Sequence, residues 1–123
     1  MTNPERVLPD ARLRKGDLLR FAYAAPEAGF LVILDLDATQ QVTVFHPFGE
    51  NEAARVVAGG DLLLGTVALD DSLGSEWVVA VFSPKPLDVR RLEADLASTT
   101  PGGVPRLACT GCRVTTLRFQ KEP

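Results

Sequence analysis

Period-2 alternation dominates the chain. In "DLLRFAYAA", residues 17–25, Leu19, Phe21 and Tyr23 fall on one side and Arg20, Ala22 and Ala24 on the other, as in a half-buried strand. "GFLVILDLD", residues 29–37, has no polar residue from Phe30 to Leu34. A run of that kind predicts a central strand covered on both faces, and "EWVVAVF", residues 76–82, predicts a second. Between them "QVTVFHP" and "GGDLLLGTVALDD" read as shorter, more exposed strands, punctuated by Gly59-Gly60, Gly65 and Asp70-Asp71. "DATQQ", residues 37–41, is a polar interval suited to a hairpin turn. "CRVTTLRF", ending at Phe119, has the β-branched content of a sixth and last strand.

One stretch breaks the alternation. After "SPKP", "LDVRRLEADLAS" places Val89, Leu92 and Leu96 at i, i+3 and i+7, which predicts a single amphipathic helix. Pro86 suits its first turn and Asp88 the positive end of its dipole. "STTPGGVP" then ends it. The pattern predicts an all-β fold, an antiparallel β-sandwich, Ig-like or a partly closed barrel, with one helix before the last strand. Parallel βαβ units need helices between most strands, and only one connection can supply one. Residues 13–119 form the expected domain, with 1–12 an N-terminal extension and 120–123 a C-terminal tail.

The chain of 123 residues has the size of one domain with one core. Its 13 basic and 16 acidic residues give a net charge of -3, and the basic ones are scattered apart from Arg12 to Lys15 and Arg90-Arg91. A nucleic-acid groove, which needs a concentrated basic face, is therefore not expected. Residues 1–16 contain no apolar run, and "GFLVIL" is far too short to span a bilayer. The expected location is cytoplasmic, or extracytoplasmic if the chain is a module of a longer membrane protein.

The two cysteines, Cys109 and Cys112, make a C-x-x-C. A reactive motif of this spacing begins a helix, whose dipole lowers the pKa of the attacking thiol. "RVTTLRF" follows instead, rich in strand formers, so a structural disulfide or an inert pair is expected over a redox pair. Zinc would need more ligands than these thiols and the single His46 provide, unless two chains shared an all-thiolate site. His46 reads as a strand-end residue before Pro47. A Cys-His dyad would require it to lie within hydrogen-bond reach of a cysteine.

Asp35 and Asp37 begin like a calcium loop. The sixth position is Gln40 where Gly is required, and the twelfth is His46 where Glu is required, so a hairpin with carboxylates at its mouth is expected. Asp70 and Asp71 read as a turn, and the four aspartates together as a polar surface cluster. Trp77 lies in an apolar run and reads as core. Signatures of the common hydrolases, Walker loops and dinucleotide folds are absent from the sequence.

The order "LRKGDLLRFAY", "AGFLVILDLDATQQVTVFHP", "AGGDLLLGTVALDDSLGSEWVVAVFSPKPL" and "CRVTTLRF" resembles a bacterial domain of unknown function over residues 13–119. Gly16-Asp17, Gly29 and "LDDSLGSEWVVAVFSPKPL" are its most distinctive parts. That family is a C-terminal extracytoplasmic module of anti-sigma-factor-like membrane proteins, and also occurs beside caspase-like or kinase domains. The resemblance implies a β-sandwich used in sensing or protein interaction, with no catalytic residues to carry over. The expected function is a non-enzymatic binding or sensing module with a protein partner in a bacterial regulatory or signalling system, without cofactor or metal. The alternative is a thiol redox or metal-responsive protein using Cys109 and Cys112.

Overall fold

A computed structural model describes residues 7–47, 52–62 and 66–123, with backbone alone at 60–62. Along the chain run β1 (Ala11–Arg14), β2 (Leu18–Leu19), β3 (Ala22–Ala25), β4 (Gly29–Leu36), β5 (Val42–His46), β6 (Ala54–Val56), β7 (Gly59–Leu62), β8 (Val67–Ala68), β9 (Gly74–Ser83), α1 (Val89–Ala97) and β10 (Arg113–Glu122). The fold is mainly β with one short helix. Its frame is a sheet in the order β1-β10-β9-β4-β5, with β6 pairing the other end of the β4 edge; β2-β8 and β3-β7 form two separate two-stranded ribbons.

The two long apolar runs become the central pair, β4 against β9, antiparallel from Phe30↔Ser83 to Leu36↔Trp77. Both of their faces are covered, for a reason visible in the alternation. Val32, Leu34 and Leu36, with Val79 and Val81, pack against Val89, Leu92 and Leu96 of α1. Leu31, Ile33, Val78, Phe82 and Phe119 pack on the opposite side against Leu19, Ala25 and Leu69, contributed by the ribbons and the segment after β8. Gly29 opens β4 where a Cβ would lie 2.5 Å from the Ser83 carbonyl oxygen, so only glycine permits this strand to approach β9 so closely.

α1 buries the three positions that its spacing selects. Asp88 is its N-cap, accepting hydrogen bonds from the Arg90 and Arg91 backbone N–H groups, and Pro86 lies before the helix rather than in its first turn.

Three expectations change. The sheet is mixed, because β1 runs parallel to β10, from Ala11↔Phe119 to Arg14↔Glu122, and the sheet does not close into a barrel. Strands also reach past the expected 13–119 span, β1 beginning at Ala11 and β10 continuing to Glu122. Finally, residues 17–25 and 59–71 each split into two short strands, so that β2 pairs β8 while β3 pairs β7. The β2-β8 pairing continues into the turn before it: Gly16 adopts φ +84°, its N–H donates to the Leu69 carbonyl, and Leu69 N–H donates to the Asp17 carbonyl. The expected turn at Gly65 lies outside the described residues.

Candidate functional site: a cavity over a buried carboxyl pair

Alternation along β4 and β9 carries polar side chains onto an otherwise apolar face. Leu31, Ile33 and Asp35 share the ribbon-covered side of β4, and Glu76 shares it with Val78 on β9. On β10 the same side bears Phe119 and then Lys121. The relative exposures of Asp35, Glu76 and Lys121 are 3%, 2% and 2%, so three ionisable groups lie inside the protein, where charge is tolerated only with partners.

The partners are unequally shared. The Lys121 ammonium lies 2.7 Å from Glu76 Oε1 and pairs on its other side with the exposed Asp70 carboxylate. The contact with Glu76 is one of charge, since Oε1 accepts no well-directed hydrogen bond. Asp35 Oδ1 is also buried without a hydrogen-bond partner. Burial, a hydrogen bond to Glu76 and the Glu76 charge push the Asp35 carboxyl up to about 10, with Asp37 adding to the effect and Lys121 opposing it. Two buried carboxyls beside each other are not both easily ionised, and the raised value favours the protonated form of Asp35 at neutral pH.

Burial alone would lower the Lys121 ammonium. Its hydrogen bond to Asp70, its close contact with Glu76 and the charges of both prevail and raise it above the ordinary lysine value. The hydrogen bond from Lys121 correspondingly holds Asp70 below the usual carboxylate range.

A cavity of about 530 Å³ lies over this group. Its apolar lining includes Phe21, Phe45, Val67 and Leu69, and its polar lining the buried Asp35 and Glu76 with Thr43 and the exposed Asp70. The Phe21 and Phe45 rings stand 5.9 Å apart between centroids. His46 also lines the cavity, and burial lowers its pKa, which favours the neutral imidazole. Thr43 pairs directly with Asp35 across β4 and β5. The register then shifts between Ile33 and Leu34, which pairs Ile33 with His46 and Leu34 with Val44 and lets both Phe45 and His46 line the cavity.

The four aspartates of the expected surface cluster have different fates. Asp35 is buried in the cavity lining, and Asp37 is buried as the anchor of the hairpin turn, its Oδ1 accepting from the Thr39 N–H, the Thr39 hydroxyl and the Gln41 N–H. Burial overturns the surface placement of this pair, because β4 is covered on both faces to its end. Asp70 lines the cavity and pairs with Lys121, whereas Asp71 is exposed on the turn and takes no part in the lining.

Cys109 and Cys112 are joined as a disulfide, with Cα atoms 5.5 Å apart, in the turn that leads into β10. Cys112 packs on the helix-covered side of the sheet, while His46 lines the cavity on the ribbon-covered side, which separates the members of the conceivable Cys-His dyad. Trp77 is partly buried on the helix-covered side, with the Arg118 guanidinium 5.7 Å from its ring centroid. Among the described residues, no group of three His, Cys, Asp or Glu side chains is arranged to hold a metal ion.

Glu76, Lys121, Thr43 and Phe45 were not singled out by sequence reasoning, and Phe21 was placed only on one face of an alternating strand. A signal for the first two existed: each occupies an inward position of a strand whose neighbouring inward residues, Val78 and Phe119, are apolar. No protein-family model, curated protein or solved structure matches the chain, and the resemblance drawn from its motifs rests on those motifs alone.

Proposed function

We propose that the protein is a non-enzymatic binding module of a regulatory system, which captures a protein segment along β5 and seats one of its side chains in the cavity. The six-stranded sheet and the two ribbons act as the layers of a sandwich, and the cavity lies between them. The observation that carries this reading is the double role of β5. It is an edge strand among the described elements, pairing β4 alone, and it also lines the cavity with Thr43, Phe45 and His46. An incoming strand gains main-chain hydrogen bonds from such an edge and specificity from a pocket beside it.

The opposite edge, β1, is less suited to this role. Arg12 and Arg14 point outward there with Lys15 following, and such cationic residues discourage strand addition. The joined cysteines lie apart from this site, since Cys112 packs on the helix-covered side of the sheet and His46 lines the cavity on the other.

Selection from a displayed random-peptide library tests the proposal. Selected peptides should slow amide exchange in Val42–His46 and shift the resonances of Thr43 and Phe45. Peptides that bind while leaving β5 and the cavity unchanged, or a selection that yields none, would overturn it.

A further inference from the structure

The cavity lining contains more acid than base. Asp35, Glu76 and Asp70 face a single cation, Lys121, and the remaining charged neighbour of Asp35 on its own strand end is another acid, Asp37. His46, the ionisable group on β5, is shifted by burial toward its neutral form. One acceptor, Asp35 Oδ1, is buried and unpartnered in a residue 3% exposed that lines the cavity. An unsatisfied acceptor of this kind is costly, and its cost ends when a donor arrives.

The walls restrict what that donor can be attached to. Phe21, Phe45, Val67 and Leu69 line the same cavity as the acids and favour an aliphatic stem, and aromatic side chains beside a binding site attract a cation. We propose that the cavity is a seat for a primary ammonium group on an aliphatic stem, which hydrogen-bonds the unpartnered Asp35 Oδ1. The inference rests on the cavity as the binding site and adds the class of group that enters it. A lysine side chain of a captured segment and a free alkylamine share this chemistry.

The step balances in charge. One alkylammonium enters, the Asp35 O–H bond breaks, and its proton leaves to buffer, so the site's net charge is the same before and after. Glu76 stays paired with Lys121, and the ionised Asp35 accepts from the new donor. Affinity should then rise with pH by about tenfold per unit, the slope for one released proton.

Calorimetric titration of the full chain between pH 6 and pH 8 provides the test, with n-hexylammonium, hexan-1-ol and Nα-acetyl-lysine N-methylamide as probes in phosphate and in Tris. Hexylammonium should bind with release of about one proton, seen as a buffer-dependent heat, and hexan-1-ol should bind at least about tenfold more weakly with no proton released. Binding of the lysine derivative with the same proton release assigns the seat to a partner's side chain, whereas binding of hexylammonium alone assigns it to a free amine.

Asp35→Asn should abolish proton release and flatten the pH profile. The wild-type buffer and pH dependence tests the proposal even if that variant fails to fold. Equal binding of hexylammonium and hexan-1-ol, absence of amine binding, or amine binding without proton release would overturn the inference. Library peptides that occupy β5 with an uncharged side chain in the cavity would preserve strand capture and remove only the ammonium, so the two ideas can fail separately.

Discussion

The two faces of the central sheet are built from the same strands with opposite logic. Under α1, Val32, Leu34, Leu36, Val79 and Val81 meet Val89, Leu92 and Leu96 in an apolar cluster. Across the sheet, one residue away at each step, Leu31 and Ile33 give way to Asp35, Val78 to Glu76, and Phe119 to Lys121. The helix-covered face is a core in the ordinary sense, gaining roughly 25 cal/mol for each Å² of apolar surface removed from water. On the ribbon-covered face the same burial supports a group of charges that contributes little or nothing to stability by itself. The two sides of one sheet thus differ in kind: one buries a helix on an apolar cluster, and the other buries a charged group beside a cavity.

Breaking the charged face should have the larger effect. Lys121→Met removes the cation and leaves Glu76 buried with an uncompensated charge, at an expected cost of about 3–5 kcal/mol in urea unfolding at pH 7. A Glu76→Gln/Lys121→Met double variant should recover most of that loss, since it removes both members of the pair. If Lys121→Met alone is neutral, the ammonium does not hold this end of the core together. Leu96→Ala probes the helix-covered face, where the side chain is fully buried, and should cost about 3 kcal/mol by lost transfer energy and a residual cavity. Its signature is the opposite of the first: lower stability with hexylammonium affinity and proton release unchanged. Loss of both would show that the two faces are not independent.

How far the sequence discloses this division depends on which face a residue serves. The helix-covered face is legible throughout. Val89, Leu92 and Leu96 announce their positions by helical spacing, and the strands beneath them by unbroken apolar runs. Asp37 is legible as a turn residue, because its side-chain hydrogen bonds are local. The ribbon-covered face is not, since its polar members come from β4, β9 and β10, far apart in the chain, and only the register of the sheet brings them together.

Asp35 reads as the mouth of a hairpin until β4 is seen to be covered to its end. Lys121 reads as a tail until β1 is found pairing parallel to β10, which extends that strand into the core's margin. Parallel pairing itself escapes a pattern in which "ARLR" shows only two apolar positions, Ala11 and Leu13, separated by arginine. Strand pairing across long stretches of chain is set by the summed packing of the whole fold, and no short window of residues contains it.

Asp35→Asn sharpens the comparison at its finest point and should have the smallest effect on stability. The folded protein holds a proton on Asp35 that the unfolded chain gives up above the ordinary aspartate value of 3.8. The folded state therefore binds the more protons, and stability falls as pH rises from about 4 toward the folded value of about 10. At pH 7 the cost of keeping a carboxyl protonated roughly three pH units above its ordinary pKa has a ceiling of about 4 kcal/mol. An amide occupies the same space, remains neutral without holding a titratable proton, and donates to Glu76, though it leaves the other oxygen's acceptor role unfilled as before. The net gain expected is about 1–2 kcal/mol at pH 7. Thermal melts from pH 5 to pH 9 should show a wild-type Tm that declines as pH rises and a flatter profile for the variant, the gap between them widening with pH. A gap that stays constant would mean that Asp35 is ionised in the folded protein, and a variant less stable at every pH would mean that the acid, rather than its proton, is what this face requires.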